Sequence, residues 1–206
     1  MGGGGVPPDV AAGLPPNVTV HSPRMRSPYG VHHSKVCVFF YGDAGVRLVV
    51  STANLSPADW GGMLQGVYCR DFPRRLDAGG QRRGGGGGGG PTSAAVRPAD
   101  GASANPFGAD LARYLTALGP PAVPYARMLA AYDLSSAGVD LVTSVPGSHT
   151  GVAMATVGHL RLRQLLAAAA PPPGAPRAVV QVSSIGGLSP AWVAQFGASL
   201  LPPLYR

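Results

Sequence analysis

This chain carries a single lysine, Lys35, and it stands two residues after a histidine. Every other basic side chain, histidine apart, is arginine. The local sequence is Tyr29-Gly30-Val31-His32-His33-Ser34-Lys35, followed by the apolar run Val36 to Phe40. An imidazole can attack phosphorus and hold a phosphoryl group covalently. An ammonium beside it can hold the non-bridging oxygens and stabilise the charge that builds on them. His33 and Lys35 at the start of a strand therefore suit attack on a phosphodiester. The plain alternative is a strand-end histidine beside a solvated lysine, and a bare His-x-Lys does not separate the two.

The elements that must position these groups are legible from alternation. Val36 to Phe40 is β-branched and aromatic and reads as a buried strand. A second apolar run, Val46 to Val50, follows after Gly42-Asp43-Ala44-Gly45, whose glycines suit a hairpin loop. If Tyr41 and Val46 close that loop, His33 lies opposite Asn54 and Lys35 opposite Thr52. Side chains at i and i+2 share a face of a strand. His33, Lys35 and Asn54 then project from one face of a two-stranded ribbon, and the Asn54 amide joins the ammonium in gripping phosphoryl oxygens. A slip of one residue turns Asn54 away. His32 points to the face opposite His33 and reads as structural.

The stretch from Asn17 to Phe72 continues with Arg47-Leu48-Val49-Val50-Ser51-Thr52-Ala53-Asn54-Leu55, Ala58-Asp59-Trp60 and Gln65-Gly66-Val67-Tyr68. Downstream come Leu141-Val142-Thr143-Ser144-Val145-Pro146-Gly147, Gly158-His159-Leu160-Arg161-Leu162 and Gln181-Val182-Ser183-Ser184-Ile185-Gly186-Gly187-Leu188. In this order these segments resemble the tyrosyl-DNA phosphodiesterases of the phospholipase D superfamily. The resemblance implies a phospholipase D-like layered α-β-α half-domain, with His33 as nucleophile, Lys35 and Asn54 as its partners and Gln65 in support. It implies DNA contact for Tyr29, Gly30, Ser184, Ile185, Gly186 and Gly187, with Gly187 where relatives carry a serine. The expected substrate is DNA, single- or double-stranded, with a blocked 3′ end, above all a topoisomerase-derived tyrosyl peptide. The setting it implies is DNA repair in the nucleus. Phe40 stands where lipid-cleaving relatives place an aspartate, which argues against a lipid substrate. The family builds its site from two His-Lys-Asn sets, and with one lysine this chain holds only the first. We therefore read it as the first half with the start of a second.

Composition fits a globular core interrupted by loose segments. Glycine contributes 31 residues and proline 22 of the 206, close to the range of low-complexity sequence. The net charge of +7 suits a polyanion such as DNA, or reflects arginine-rich composition alone. Residues 1–16 read as a Gly/Pro tail. Residues 17–150 read as the first half-domain, with 73–104 a flexible Gly-rich insertion, and residues 151–206 as the start of a second half-domain. Phe107, Leu111, Tyr114, Leu115 and Leu118 mark one face of an amphipathic helix. A second helix is expected around Tyr125 to Tyr132 and a third from His159 to Ala170. Strands are expected at Val139–Val145 and Ala178–Ser184. Strands alternating with helices indicate an α/β fold.

The remaining candidates are weaker. Cys37 and Cys69 lack metal-binding spacing, and Cys37 reads as a buried thiol. No metal or other cofactor is expected, and no membrane span. Ser183 and Ser184, before two glycines, could grip a phosphate or simply form a turn. Tyr29 could stack on a base or pack beside the hairpin. Trp60 reads as core. Two other functional classes stay open: a non-catalytic DNA- or partner-binding fragment, and a nuclease in which two copies each supply one His-x-Lys.

Overall fold

The structure is a computed structural model that describes residues 9, 12–25, 30–76, 106–169, 177–182 and 186–201. Tyr29, Ser183, Ser184, Ile185, the glycine run and the prolines 171–173 lie outside these. The chain divides into two compact units, Met1–Leu141 and Val142–Arg206.

The first unit is built on a three-stranded antiparallel sheet in the order β1 (Lys35–Phe40), β2 (Val46–Ser51), β3 (Val67–Phe72). A short helix, α1 (Pro57–Gly61), lies between β2 and β3 in sequence. Alternation along β2 separates Val46 and Leu48, both buried, from Arg47, which is exposed. Phe72, paired with Val46, continues the buried face. Helix α2 (Pro106–Ala117) covers this face, its Phe107 ring 6.0 Å from Phe72 and 6.1 Å from Tyr68. Phe107, Leu111, Tyr114 and Leu115 are buried on that helix, the face the spacing predicts. Helix α3 (Val123–Met128) follows and tightens into a 3-10 turn over Leu129–Ala131, so the second expected helix is shorter than Tyr125–Tyr132. The mixture of helices and a small antiparallel sheet fits the α/β class.

The hairpin register differs from the expected one by a residue. Lys35 pairs with Ser51 and Phe40 with Val46. Gly45 is the reason. It is the last paired position of the hairpin rather than part of the loop: the Tyr41 amide donates to its carbonyl at 2.9 Å. The loop is thus the single 3-10 turn Gly42–Ala44. Gly45 sits at φ +126°, which side chains rarely adopt, and a Cβ there would lie 2.6 Å from the Phe72 carbonyl oxygen. The ladder ends at Lys35 and Ser51, so neither His33 nor Asn54 is placed by strand pairing.

Other expectations are corrected. Residues 139–145 and 178–182 form no ladder. A strand needs a partner for its amides, and the Thr143 carbonyl instead accepts from the Gly158 amide at 2.9 Å. Cys37 is half-buried and Cys69 exposed, both free. They lie opposite Val49 from its two sides, so the sheet keeps them apart. Within the expected insertion, Pro73–Leu76 is anchored: the Arg75 amide donates to Ala131 at 2.8 Å, and Arg74 bridges to Tyr132.

In the second unit α4 (Gly158–Ala168) packs against α5 (Pro190–Leu200). The Ser189 hydroxyl caps α5 by accepting from the Trp192 amide at 3.2 Å, with Pro190 in the first turn. His159 lies 5.9 Å from the Phe196 ring and 6.1 Å from that of Trp192. Its Nδ1 is 2.9 Å from the Ser199 hydroxyl, so helix packing accounts for this histidine.

Candidate active site

Lys35 opens β1 and His33 precedes it on irregular backbone. The Lys35 Nζ lies 2.7 Å from His33 Nδ1 and 2.9 Å from Nε2, and it donates to the His33 carbonyl at 3.0 Å. A neutral imidazole has one acceptor nitrogen. At most one of the two ring approaches is then a hydrogen bond. His33 is exposed and Lys35 half-buried, so the pair faces solvent with the ammonium on the ring.

His32 turns away, as expected. Its Nε2 is 3.3 Å from the Tyr114 hydroxyl, and the two ring centroids are 6.0 Å apart. Burial raises the Tyr114 pKa above its ordinary value. His32 thus ties the backbone before β1 to helix α2.

Asn54 is held by a loop. After β2 the chain turns over Ser51, whose hydroxyl accepts from the Ala53 amide at 3.0 Å. Ser56 then caps α1, accepting from the Asp59 amide at 3.3 Å, with Pro57 in the first turn. The Asp59 carboxylate folds back over this cap. Its Oδ1 accepts from the Ser56 hydroxyl at 2.7 Å. Its Oδ2 accepts from the Asn54 backbone amide at 2.7 Å and from Asn54 Nδ2 at 3.0 Å. The Trp60 indole donates to the Asn54 carbonyl at 2.8 Å.

These bonds leave their mark on Asp59. Its pKa is lowered, first by the Ser56 hydroxyl, then by the Asn54 backbone amide and side chain, with a further contribution from the Lys35 charge.

Gln65 braces the same loop from the β3 side. Its Nε2 donates to the Asp59 carbonyl at 3.3 Å, and its Oε1 accepts from the Thr52 hydroxyl at 2.6 Å. Thr52 exchanges bonds with Gly66: its hydroxyl accepts from the Gly66 amide at 2.9 Å, and its own amide donates to the Gly66 carbonyl at 3.0 Å. Gln65 therefore ties Thr52 to the Asp59 backbone.

Asp59 and Trp60 were not singled out as site residues by sequence reasoning. Trp60 is 54% exposed, not core, because its indole N–H is used on Asn54. The available signal was Ser56-Pro57-Ala58-Asp59, the pattern of a helix cap with an acidic third residue just after the asparagine. Gly30 is half-buried at the start of the segment that leads to His33. Gly186 and Gly187 are exposed, with nothing within 4 Å of where a Cβ would stand. They belong to the second unit. Among the described residues, no cluster of His, Cys, Asp or Glu could hold a metal ion, and no helix is long and apolar enough to cross a membrane.

The sequence model of the family described as Tyrosyl-DNA phosphodiesterase matches residues 9–205. Tyrosyl-DNA phosphodiesterase 1 of Arabidopsis thaliana is 34% identical over 199 residues, covering 90% of this chain and 29% of the plant protein. Tyrosyl-DNA phosphodiesterase 1 of Drosophila melanogaster is 31% identical, covering 86% of this chain and 29% of its own length. A probable tyrosyl-DNA phosphodiesterase of Caenorhabditis elegans is 28% identical over 91% of this chain and 38% of its own length. This chain thus spans well under half the length of the curated relatives it matches. A match that runs through both units leaves one assignment: the chain belongs to the tyrosyl-DNA phosphodiesterase family.

Proposed function

We propose that this chain carries the nucleophilic half of a DNA-repair phosphodiesterase. A ring nitrogen of His33 attacks the phosphorus of a 3′-phosphotyrosyl DNA end. The N–P bond forms as the P–O bond to tyrosine breaks, and water then cleaves the phosphohistidine to leave a 3′-phosphate. Lys35 and Asn54 hold the non-bridging oxygens. The observation that supports this most is the Lys35 ammonium lying 2.7 Å from the His33 ring.

Tyr29, Gly30, Ser184, Ile185, Gly186 and Gly187 are assigned to the DNA strand on resemblance. The first unit is read as a phospholipase D-like layered half-domain. Action in the nucleus, on single- or double-stranded ends and as an exonuclease on other 3′ blocks, follows from the same reading. Departure of tyrosine needs a proton, and attack by water needs a base, each worth about 10²–10⁴-fold. The other described histidines, His21, His32, His149 and His159, have no lysine to pair with, since Lys35 is the single one.

The test therefore separates attack from departure. An oligonucleotide ending in 3′-(p-nitrophenyl phosphate) releases nitrophenolate without a general acid. The purified chain should release at most one nitrophenolate per molecule and form a covalent protein–DNA adduct stable to denaturation. His33→Ala should do neither. An adduct of undiminished yield in that variant would overturn the assignment.

A further inference from the structure

We infer that Asp59 is the positioning residue for Asn54: it fixes the Asn54 amide with Nδ2 turned toward the phosphoryl group that His33 attacks. The inference rests on the reading of His33 and Asn54 given above, and adds to it a residue and a direction.

The argument starts from what a carboxylate can do. It accepts hydrogen bonds and donates none. A side-chain amide can present either its oxygen or its nitrogen, and its orientation is decided by its neighbours. With Asp59 Oδ2 at 3.0 Å, the amide must turn Nδ2 toward it. That nitrogen has two hydrogens, so the second remains to be donated to a phosphoryl oxygen. The same Oδ2 accepts from the Asn54 backbone amide, and Trp60 takes the Asn54 carbonyl. Backbone N–H, backbone C=O and side-chain nitrogen are therefore all held.

The exposure of the site argues that this holding is not for the core. Asn54 is exposed and Asp59 only half-buried, where single polar contacts add little to stability. A carboxylate beside a phosphate subsite is otherwise unfavourable, since like charges repel. Here the Asp59 oxygens are occupied by three donors, and Lys35 acts on the same charge. A neutral amide in its place could donate as well as accept, and would leave the Asn54 amide free to turn over.

The test is a double-mutant cycle on nitrophenolate release from the 3′-(p-nitrophenyl phosphate) oligonucleotide, using the full chain. Asp59→Ala and the isosteric Asp59→Asn should lower the release rate constant about 10- to 100-fold, the cost of a misplaced group. The half-saturating oligonucleotide concentration should not move. In the Asn54→Ala background, Asp59→Ala should have no further effect, because its whole action passes through Asn54. Losses that multiply, or an effect confined to half-saturation, would overturn the proposal. A second arm needs no catalysis: the Asn54 side-chain amide protons, followed by NMR, should exchange with water more slowly in the wild type than in either Asp59 variant. Equal exchange rates would also overturn it. Absence of release from the wild type would count against the functional reading alone, and the exchange arm would still decide what Asp59 holds.

Discussion

Asp59 accepts both the backbone amide and the side-chain amide of Asn54 on one oxygen, at 2.7 and 3.0 Å. Asn54 lies beyond the ladder, and its loop closes on the Asp59 carboxylate instead of on a partner strand.

Lys35→Ala should separate chemistry from folding. Lys35 is half-buried at a strand end, and its partner is the exposed His33, so its removal should change the urea midpoint little. The rate of adduct formation should fall by about 10²–10³-fold, the range for loss of one electrostatic donor. Stopped-flow release of nitrophenolate, alongside a urea melt, measures both. Equal losses of fold and rate would mark Lys35 as structural.

Gly45 and Gly42 should differ although both have positive φ. Gly42→Ala meets open space at φ +60° and should cost about 1–2 kcal/mol. Gly45→Ala drives a Cβ against the Phe72 carbonyl and should cost more, at least the roughly 1–3 kcal/mol of a strained backbone. Chemical denaturation of both variants gives the comparison. A Gly45→Ala protein as stable as Gly42→Ala would mean that β3 can yield.

Acid should loosen the sheet and the Asn54 loop together. Asp59 is held below the ordinary 3.8 by Ser56 and Asn54, Asp71 by Arg47, and Asp133 by the Ser135 amide. A depressed carboxylate contributes stability above its unfolded pKa and loses it as pH falls through the folded value. The melting temperature should therefore be level from about pH 6 to 5 and decline below about pH 4. Asp59→Asn and Asp71→Asn should each flatten that decline. A wild-type melting temperature that rises on acidification would contradict all three shifts.

The chain should bind single-stranded DNA with a strong salt dependence and turn over a 3′-tyrosyl oligonucleotide slowly or not at all. The logarithm of affinity should fall with the logarithm of salt by about 0.7 for each phosphate neutralised. Fluorescence anisotropy across a salt series tests this, and salt-independent binding would remove the electrostatic reading of the +7 charge. Multiple turnovers at a rate linear in protein would show a general acid within the chain. A rate rising with the square of concentration would show two copies sharing one site.

The His33–Lys35 pair and the core helix were legible in the sequence because they are local. A spacing of two and a repeat of Phe107, Leu111, Tyr114 and Leu115 suffice. The register was not, because Gly45 reads as loop yet is the hairpin's last paired position, its carbonyl accepting from the Tyr41 amide at 2.9 Å, a bond that hydrophobic patterning does not encode. Trp60 was misread for a related reason. Its bulk suggests core, and only the position of the Asn54 carbonyl explains its exposed indole. Residues 139–145 alternate well enough for a strand but find no neighbour, since pairing is decided by distant chain.

The solitary ammonium on the His33 ring also makes the site its own reporter. Reductive methylation with carbon-13 formaldehyde would label one side chain of this chain, Lys35, besides the α-amino group. Its methyl signal would sit beside the His33 imidazole, in its ring current and within reach of any group that binds there. Ligand binding near His33 can then be followed by the Lys35 resonance, with no residue substituted and no second lysine to confuse the spectrum.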